Sequence, residues 1–415
     1  MLYRFAYCLM WITFKIFFRR IDVVDQHKLD HSQPALLIAN HPASFLDAMV
    51  LAVFLKRPVY FYVRGDIFKH PLVYKIFTML HMIPIFNQGD GMANLSKNQQ
   101  TFERGRGILS TGKLLLVFPE GFSRLSKELA PFKKGAARVA LQAAFEDPKA
   151  VDLHIQSIAI NYSSHALGAN LFIRVGERRD ITSYQQLYME FPAKAINKLT
   201  MDMFELFHNN VIHVKQGDRT AVVEEVMRML YNNVGFKSHE FFQRSRDLCT
   251  EVSMMSEDEF SQYELLLSEQ KRQLNMYRLT DKALTTQSTI KNSLLWYTVC
   301  MFPLFIVGLI IWWIPGKISK WIADNTVTRE DFYTSVHCGV SGVFGFIWWT
   351  VISIVALIYS NTFISMLILS SPFFAYTALR WQEQADLLLT LMRLRKIDSV
   401  VIDELKSRRS KILTQ

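Results

Sequence analysis

The sequence predicts an α/β fold, a mixed central sheet flanked by helices, continued by a helical linker and by C-terminal transmembrane helices. Three observations predict it. Between residues 33 and 180, short runs rich in Val, Ile, Leu, Phe and Tyr alternate with helix-length segments. From residue 182 to about 290 the chain changes to helical patterns loaded with Met, Glu, Gln and Arg. Beyond them lie uncharged stretches longer than the ~20 residues that a hydrocarbon core requires.

The balance of residues agrees. Of 415 residues, half are apolar, only 20% are charged and 13% are aromatic, which is poorer in charge than most soluble enzymes. The formal charge of +10 suits an anionic substrate or membrane surface. It is spread over loops and tails without a basic helix or an aromatic-basic repeat, so no nucleic-acid partner is expected. Cys8, Cys249, Cys300 and Cys338 are far apart in the chain and show neither CxxC nor Cys/His spacing, so neither a disulfide framework nor a metal site is expected.

Taken in order, residues 1–22 read as an interfacial N-terminal helix. Arg4 and Lys15 interrupt its apolar run, and no small-residue cleavage site follows, so it does not read as an export signal. Residues 23–181 form the α/β domain. Its strands are expected at Ala35 to Ala39, Val59 to Val63, Met82 to Phe86, Leu114 to Phe118, Ile155 to Tyr162 and Leu171 to Val175. Most are continuously apolar, as suits strands covered on both faces. Helices are expected at Ser44 to Leu55, Pro71 to Leu80, Leu95 to Ser110 and Lys134 to Phe145, the last stopped by Pro148.

Residues 182–291 form the helical linker region and 292–380 the transmembrane helices. Ser293 to Pro315 is 23 residues without a charge, one span. Phe332 to Leu379 supplies one further span plus a re-entrant or interfacial helix. Residues 381–415 form a basic tail. With Lys317, Lys320 and Arg329 in a loop from Gly316 to Asp331, the charge bias puts the tail and the catalytic domain on the cytoplasmic side, which requires an even number of crossings.

Two constellations carry chemistry. Strand Ala35 to Ala39 runs into Asn40-His41-Pro42-Ala43-Ser44-Phe45-Leu46-Asp47, with Pro42 suited to a first helical turn. His41 then sits on the strand-to-helix corner, where open α/β sheets bind ligands, and its ring can fold back to the Asp47 carboxylate. Such a carboxylate fixes the imidazole tautomer and leaves the second nitrogen to take a proton from a hydroxyl. Strand Leu114 to Val117 ends in Phe118-Pro119-Glu120-Gly121-Phe122-Ser123-Arg124, placing Glu120 and Gly121 at the same edge. Arg124 offers a planar fork to a phosphate, and Lys133 and Lys134 add positive charge.

With these two motifs, NHPASFLD and FPEGFSR followed by LAPFKKGAARVA, the chain resembles the glycerolipid acyltransferase family over roughly residues 33 to 180. The pieces match that family's NHxxxxD and FPEGxSR motifs. The resemblance implies that His41 is the base and Asp47 its partner. It further implies that Glu120 and Gly121, with Ser123 beside them, hold the acceptor or the oxyanion, and that Arg124 contacts the acceptor phosphate. The implied activity is O-acyl transfer from acyl-CoA or acyl carrier protein to glycerol 3-phosphate or 1-acylglycerol 3-phosphate, with membrane lipids as surroundings. No cofactor beyond the acyl thioester donor is implied. No GxSxG elbow points to an acyl-enzyme.

Two departures matter. Where family members commonly carry an Arg after the second strand motif, Met82 to Phe86 leads into Asn87, Gln88 and Gly89; Arg64, Lys69, Arg104 and Arg106 are the candidates to substitute, each with an alternative reading as a solvated surface cation. The strand Gln156 to Tyr162 also lacks the family's Pro. The first departure keeps open the same chemistry on dihydroxyacetone phosphate, another lysophospholipid or an amino-acid-linked lipid. A catalytically silent membrane scaffold is the reading from outside enzymology.

Overall fold

The computed structural model describes residues 1–30, 32–86, 92–146, 152–234, 239–286 and 292–414; side chains at 92–98 and 234 are outside the description. Asn87, Gln88, Gly89 and Pro148 therefore lie outside the described residues.

Seven strands form one sheet: β1 (Arg20–Val24), β2 (Ala35–Ala39), β3 (Val59–Arg64), β4 (Met82–Ile85), β5 (Leu114–Val117), β6 (His154–Tyr162) and β7 (Asn170–Asp180). Their spatial order is β1-β7-β6-β2-β5-β3-β4. Strands β6, β2, β5, β3 and β4 run parallel to one another. Strand β7 is antiparallel to β6, and β1 lies parallel to β7. The sheet is mixed, as expected.

Five helices belong to the first half of the chain: α1 (Leu2–Phe17), α2 (Phe45–Phe54), α3 (Pro71–Met79), α4 (Met92–Ser110) and α5 (Gly135–Phe145). On one face of the sheet, α1 and α2 bury Phe14, Phe17, Leu46 and Leu51 against Leu37, Leu116 and Ile160. On the other, α5 buries Ala137 and Leu141 against Leu36, Leu115 and Ile155. Alternate strand residues feed the two cores, which is why the central strands are continuously apolar.

The segment assigned to the N-terminal helix holds a strand that sequence reading missed. Arg20 and Asp22 alternate with Ile21 and Val23, a half-buried pattern that looks polar beside the continuous runs. Helix α1 ends at Phe17, so the sheet begins before residue 23.

The region read as a linker is packed structure. It contains α6 (Gln185–Glu190), α7 (Pro192–His208), α8 (Thr220–Val234), α9 (His239–Met254), α10 (Glu257–Met276) and α11 (Asp281–Thr285). Helix α7 adds Leu199, Met203 and Phe207 to the second core. Helices α8 and α9 enclose Phe172 of β7 in a third core.

Helices α12 (Asn292–Thr326) and α13 (Glu330–Tyr359) are each long and apolar enough to cross a membrane. The loop expected from Gly316 is helical as far as Thr326, with Pro303 and Pro315 inside the helix. Helix α14 (Thr362–Leu369) and helix α15 (Ser371–Leu394) meet at a 58° bend, the geometry of a broken span or a re-entrant loop. The tail is no free extension. Helix α16 (Ser399–Thr414) packs on α10, where Tyr263 O–H donates to Ile412 O at 2.8 Å, and Arg409 pairs with Asp281 at 2.6 Å.

Candidate active site

Strand β2 ends at Ala39, and the side chain of Asn40 prolongs its pairing with β6. Asn40 Nδ2 donates to Ile160 O, and Asn40 Oδ1 accepts from Ile160 N, both at 2.8 Å. The main chain is thus released to turn while remaining anchored. Helix α2 begins only at Phe45, so Pro42 precedes it and does not occupy its first turn. Ser44 at its start has φ 50°, in the left-handed region. His41 and Asp47 stand six positions apart, one more than the NHxxxxD spacing.

His41 Nδ1 lies 2.9 Å from Asp47 Oδ2. The same oxygen accepts from Ala43 N at 2.8 Å, and Oδ1 accepts from Tyr162 O–H at 2.8 Å. The Asp47 side chain has 0% exposure. A carboxylate ringed by donors assigns the proton to Nδ1 and leaves Nε2 its lone pair. The imidazole is stacked on Phe118, rings 3.8 Å apart and 9° from parallel, which fixes its plane. Burial, and secondarily the Asp47 charge, raises the Tyr162 phenol well above its ordinary pKa, so it remains a donor.

The second motif meets the first through a backbone bond, Arg124 N to His41 O at 3.1 Å. Glu120 is 5% exposed, and its Oε2 accepts from Ala130 N at 2.9 Å. Burial raises its pKa; the Ala130 bond and nearby Arg124 and His41 oppose the shift. Gly121 has φ 76°, and a Cβ there would meet the Lys133 side chain at 2.6 Å. The positive φ is what favours glycine here, since the Lys133 side chain is flexible and can move aside.

His41, Glu120 and Arg124 line one narrow cavity of about 30 Å³ with Asn161, Tyr162, His165, His213 and the Lys127–Glu224 ion pair. The other expected residues do not converge on it. Ser123 Oγ donates to Asp331 at the start of α13. Lys133 lies over Gly121, and Lys134 occupies the N-cap position of α5. Arg64 pairs with Asp66 at 2.7 Å on the exposed end of β3, outside the cavity lining. Of its possible substitutes, Arg104 donates to Tyr74 and Arg106 pairs with Glu146. For Arg64, Arg104 and Arg106 the physical reason is local: each has a nearer partner than the cavity.

Sequence reading also missed the clasp that α13 forms on these loops. Ser335 Oγ donates to Ala43 O and accepts from Leu46 N at 3.2 Å. Thr334 Oγ1 donates to His165 O at 2.7 Å, and Arg329 Nη2 to Ser123 O at 3.3 Å. Polar residues at the head of an otherwise apolar helix were the available signal.

Residues 20–161 match the family model described as Acyltransferase. A 1-acyl-sn-glycerol-3-phosphate acyltransferase of Chlamydomonas reinhardtii is 33% identical over 131 residues, which are 31% of this chain and 37% of that protein; the chain thus spans little more than a third of the relative's length. Among solved structures, the 1-acyl-sn-glycerophosphate (LPA) acyltransferase PlsC from Thermotoga maritima is similar at 15% identity and a TM-score of 0.35, over 48% of this chain and 79% of that one. NHPASFLD and FPEGFSR both lie inside the matched residues, so residues 20–161 form an acyltransferase domain similar to those of the glycerolipid acyltransferase family.

Proposed function

We propose that the protein is an O-acyltransferase that moves a fatty acyl group from acyl-CoA or acyl carrier protein to a hydroxyl of glycerol 3-phosphate or 1-acylglycerol 3-phosphate. The observation that carries this reading is the buried Asp47 carboxylate, held by three donors, one of them His41 Nδ1, beside a cavity that Glu120 also lines. His41 Nε2 takes the proton of the acceptor hydroxyl as its oxygen attacks the thioester carbonyl. Collapse of the tetrahedral intermediate forms the ester C–O bond and breaks C–S, and the imidazolium returns the proton to the thiolate. Asp47 holds the ring and stabilises its transient charge. Glu120, at the cavity wall, orients the acceptor, and Arg124 faces its phosphate.

The acyltransferase domain and the 1-acylglycerol-3-phosphate activity named for the algal relative support the acceptor class. Helices α12 and α13, with the head of α13 clasped to the motif loops, support a site at the membrane surface. The excess of Lys and Arg in the tail supports the cytoplasmic side for the catalytic domain. His41→Ala is expected to lower acyl transfer in isolated membranes by about a hundredfold or more. Unchanged transfer by that variant, from a labelled acyl thioester to either acceptor, would overturn the reading.

A further inference from the structure

Three buried side-chain nitrogens on the cavity beside His41 have no hydrogen-bond partner: Nε of Arg124, Nδ2 of Asn161 and Nδ1 of His165. Buried donors in folded proteins are nearly always satisfied, so three orphans lining one cavity ask for a common acceptor. They come from two segments of the chain. Arg124 is on the loop after β5, Asn161 is the penultimate residue of β6, and His165 follows that strand.

Each is held in place by other contacts. Asn161 is 3% exposed, and its backbone is in register with Phe172 of β7. The His165 ring leans on Tyr162 at 5.7 Å, while its carbonyl is bound by Thr334. The other two guanidinium nitrogens of Arg124 are engaged by Glu128, which leaves Nε as the free donor.

Among the cavity's carboxylates, Glu224 is paired with Lys127, Glu128 with Arg124, and Glu120 is held by Ala130 N–H. His213 Nδ1 accepts from Leu129 N, so its proton resides on Nε2, a further donor in the lining.

We propose that Asn161 and His165, with Arg124 Nε, form the subsite for the phosphate monoester of the acceptor, a deduction that rests on the acyl-transfer reading above. Arg124 Nε–H, an Asn161 amide N–H and, in its Nδ1-protonated tautomer, His165 give three N–H donors from two segments, which suit three non-bridging oxygens. They supply what the sequence lacks after Phe86, where no arginine follows. The phosphates of a coenzyme or carrier are the other source of the same chemistry. In those donors a long pantetheine arm separates phosphate from thioester, whereas in glycerol 3-phosphate the phosphate lies within a few bonds of the hydroxyl that His41 must reach. Asn161 and His165 line the cavity with His41 itself.

The test uses the purified full-length protein in detergent and in membranes. In Asn161→Asp and in His165→Leu, the KM for glycerol 3-phosphate or 1-acylglycerol 3-phosphate is expected to rise about tenfold, with kcat changed less than about threefold and the KM for acyl-CoA unchanged. Calorimetric titration with glycerol 3-phosphate alone is expected to show the same weakening in Kd. Asn161→Ser, which removes the amide without adding a charge, carries the same expectation should the Asp variant not accumulate. Unchanged acceptor KM and Kd, or a rise confined to the acyl-CoA KM, would overturn the proposal. If the parent bound glycerol 3-phosphate through these residues but transferred no acyl group, the subsite would stand and the acyl-transfer reading would fall.

Discussion

Asp47 has no contact with water, and every stabilising partner it has comes from the protein: His41, the Ala43 amide and Tyr162. Asp47→Asn removes the negative charge that stabilises the imidazolium, and an amide nitrogen in the Oδ2 position would face both the His41 Nδ1–H and the Ala43 N–H. Initial-rate measurements are expected to show a loss on the order of a hundredfold. Tyr162→Phe leaves one carboxylate oxygen without its donor and is expected to cost about 1 kcal/mol by denaturant titration. Glu120→Gln separates stability from function, because the amide oxygen can keep the Ala130 bond. Burial raises the Glu120 pKa, so in the folded state the group holds its proton to higher pH than in the unfolded chain. Its favourable contribution is therefore present at low pH and is lost as pH rises through the folded value. Glu120→Gln is thus expected to melt higher than the parent at pH 8, with the gap closing towards pH 4 and activity lost throughout. At this scale, His41, Asp47, Glu120 and Arg124 were legible as local patterns along the chain. Tyr162, Asn161 and His165 were not, since Tyr162 lies 115 positions from Asp47 and meets it only because β6 pairs with β2.

The elements were legible where burial was uniform. Strands β2, β5 and β6 are buried along nearly their whole length and announced themselves as apolar runs. The edge strand β1 did not, nor did the outer half of β7, where Gly176-Glu177-Arg178-Arg179-Asp180 extends an expected strand by pairing with β6. No apolar face marks such residues, because water covers one side. Packing between α12 and α15 was equally hidden: a Cβ at Gly308 would meet the Phe374 carbonyl oxygen at 2.4 Å. Gly308→Val is expected to destabilise the protein by roughly 1–3 kcal/mol, read as a lower melting temperature in detergent. Ser335→Ala removes the hydroxyl that bridges Ala43 and Leu46. The expected result is a several-fold fall in kcat, and a variant with parental kcat would show the clasp to be dispensable.

Across the whole molecule, five histidines share one electrostatic condition. His81, His154, His165, His208 and His213 all have pKa values depressed from the ordinary 6.5, in each case chiefly by burial. A depressed value means that the unfolded chain binds the proton first as pH falls. The stability these residues contribute is therefore complete above pH 6.5 and is lost progressively below it. A melting series from pH 7.5 to pH 5 is expected to show a monotonic fall, and a flat profile would contradict the assignment. The contacts of α13 have a consequence for synthesis. Ser335 reaches Ala43 across 292 positions, so a ribosome completes the whole sheet long before it makes the residue that fastens the His41 turn. The nascent chain accordingly passes through a stage in which the sheet is complete and the reactive corner is still loose. The contacts that fasten that turn form only once α13 has been made and has folded back.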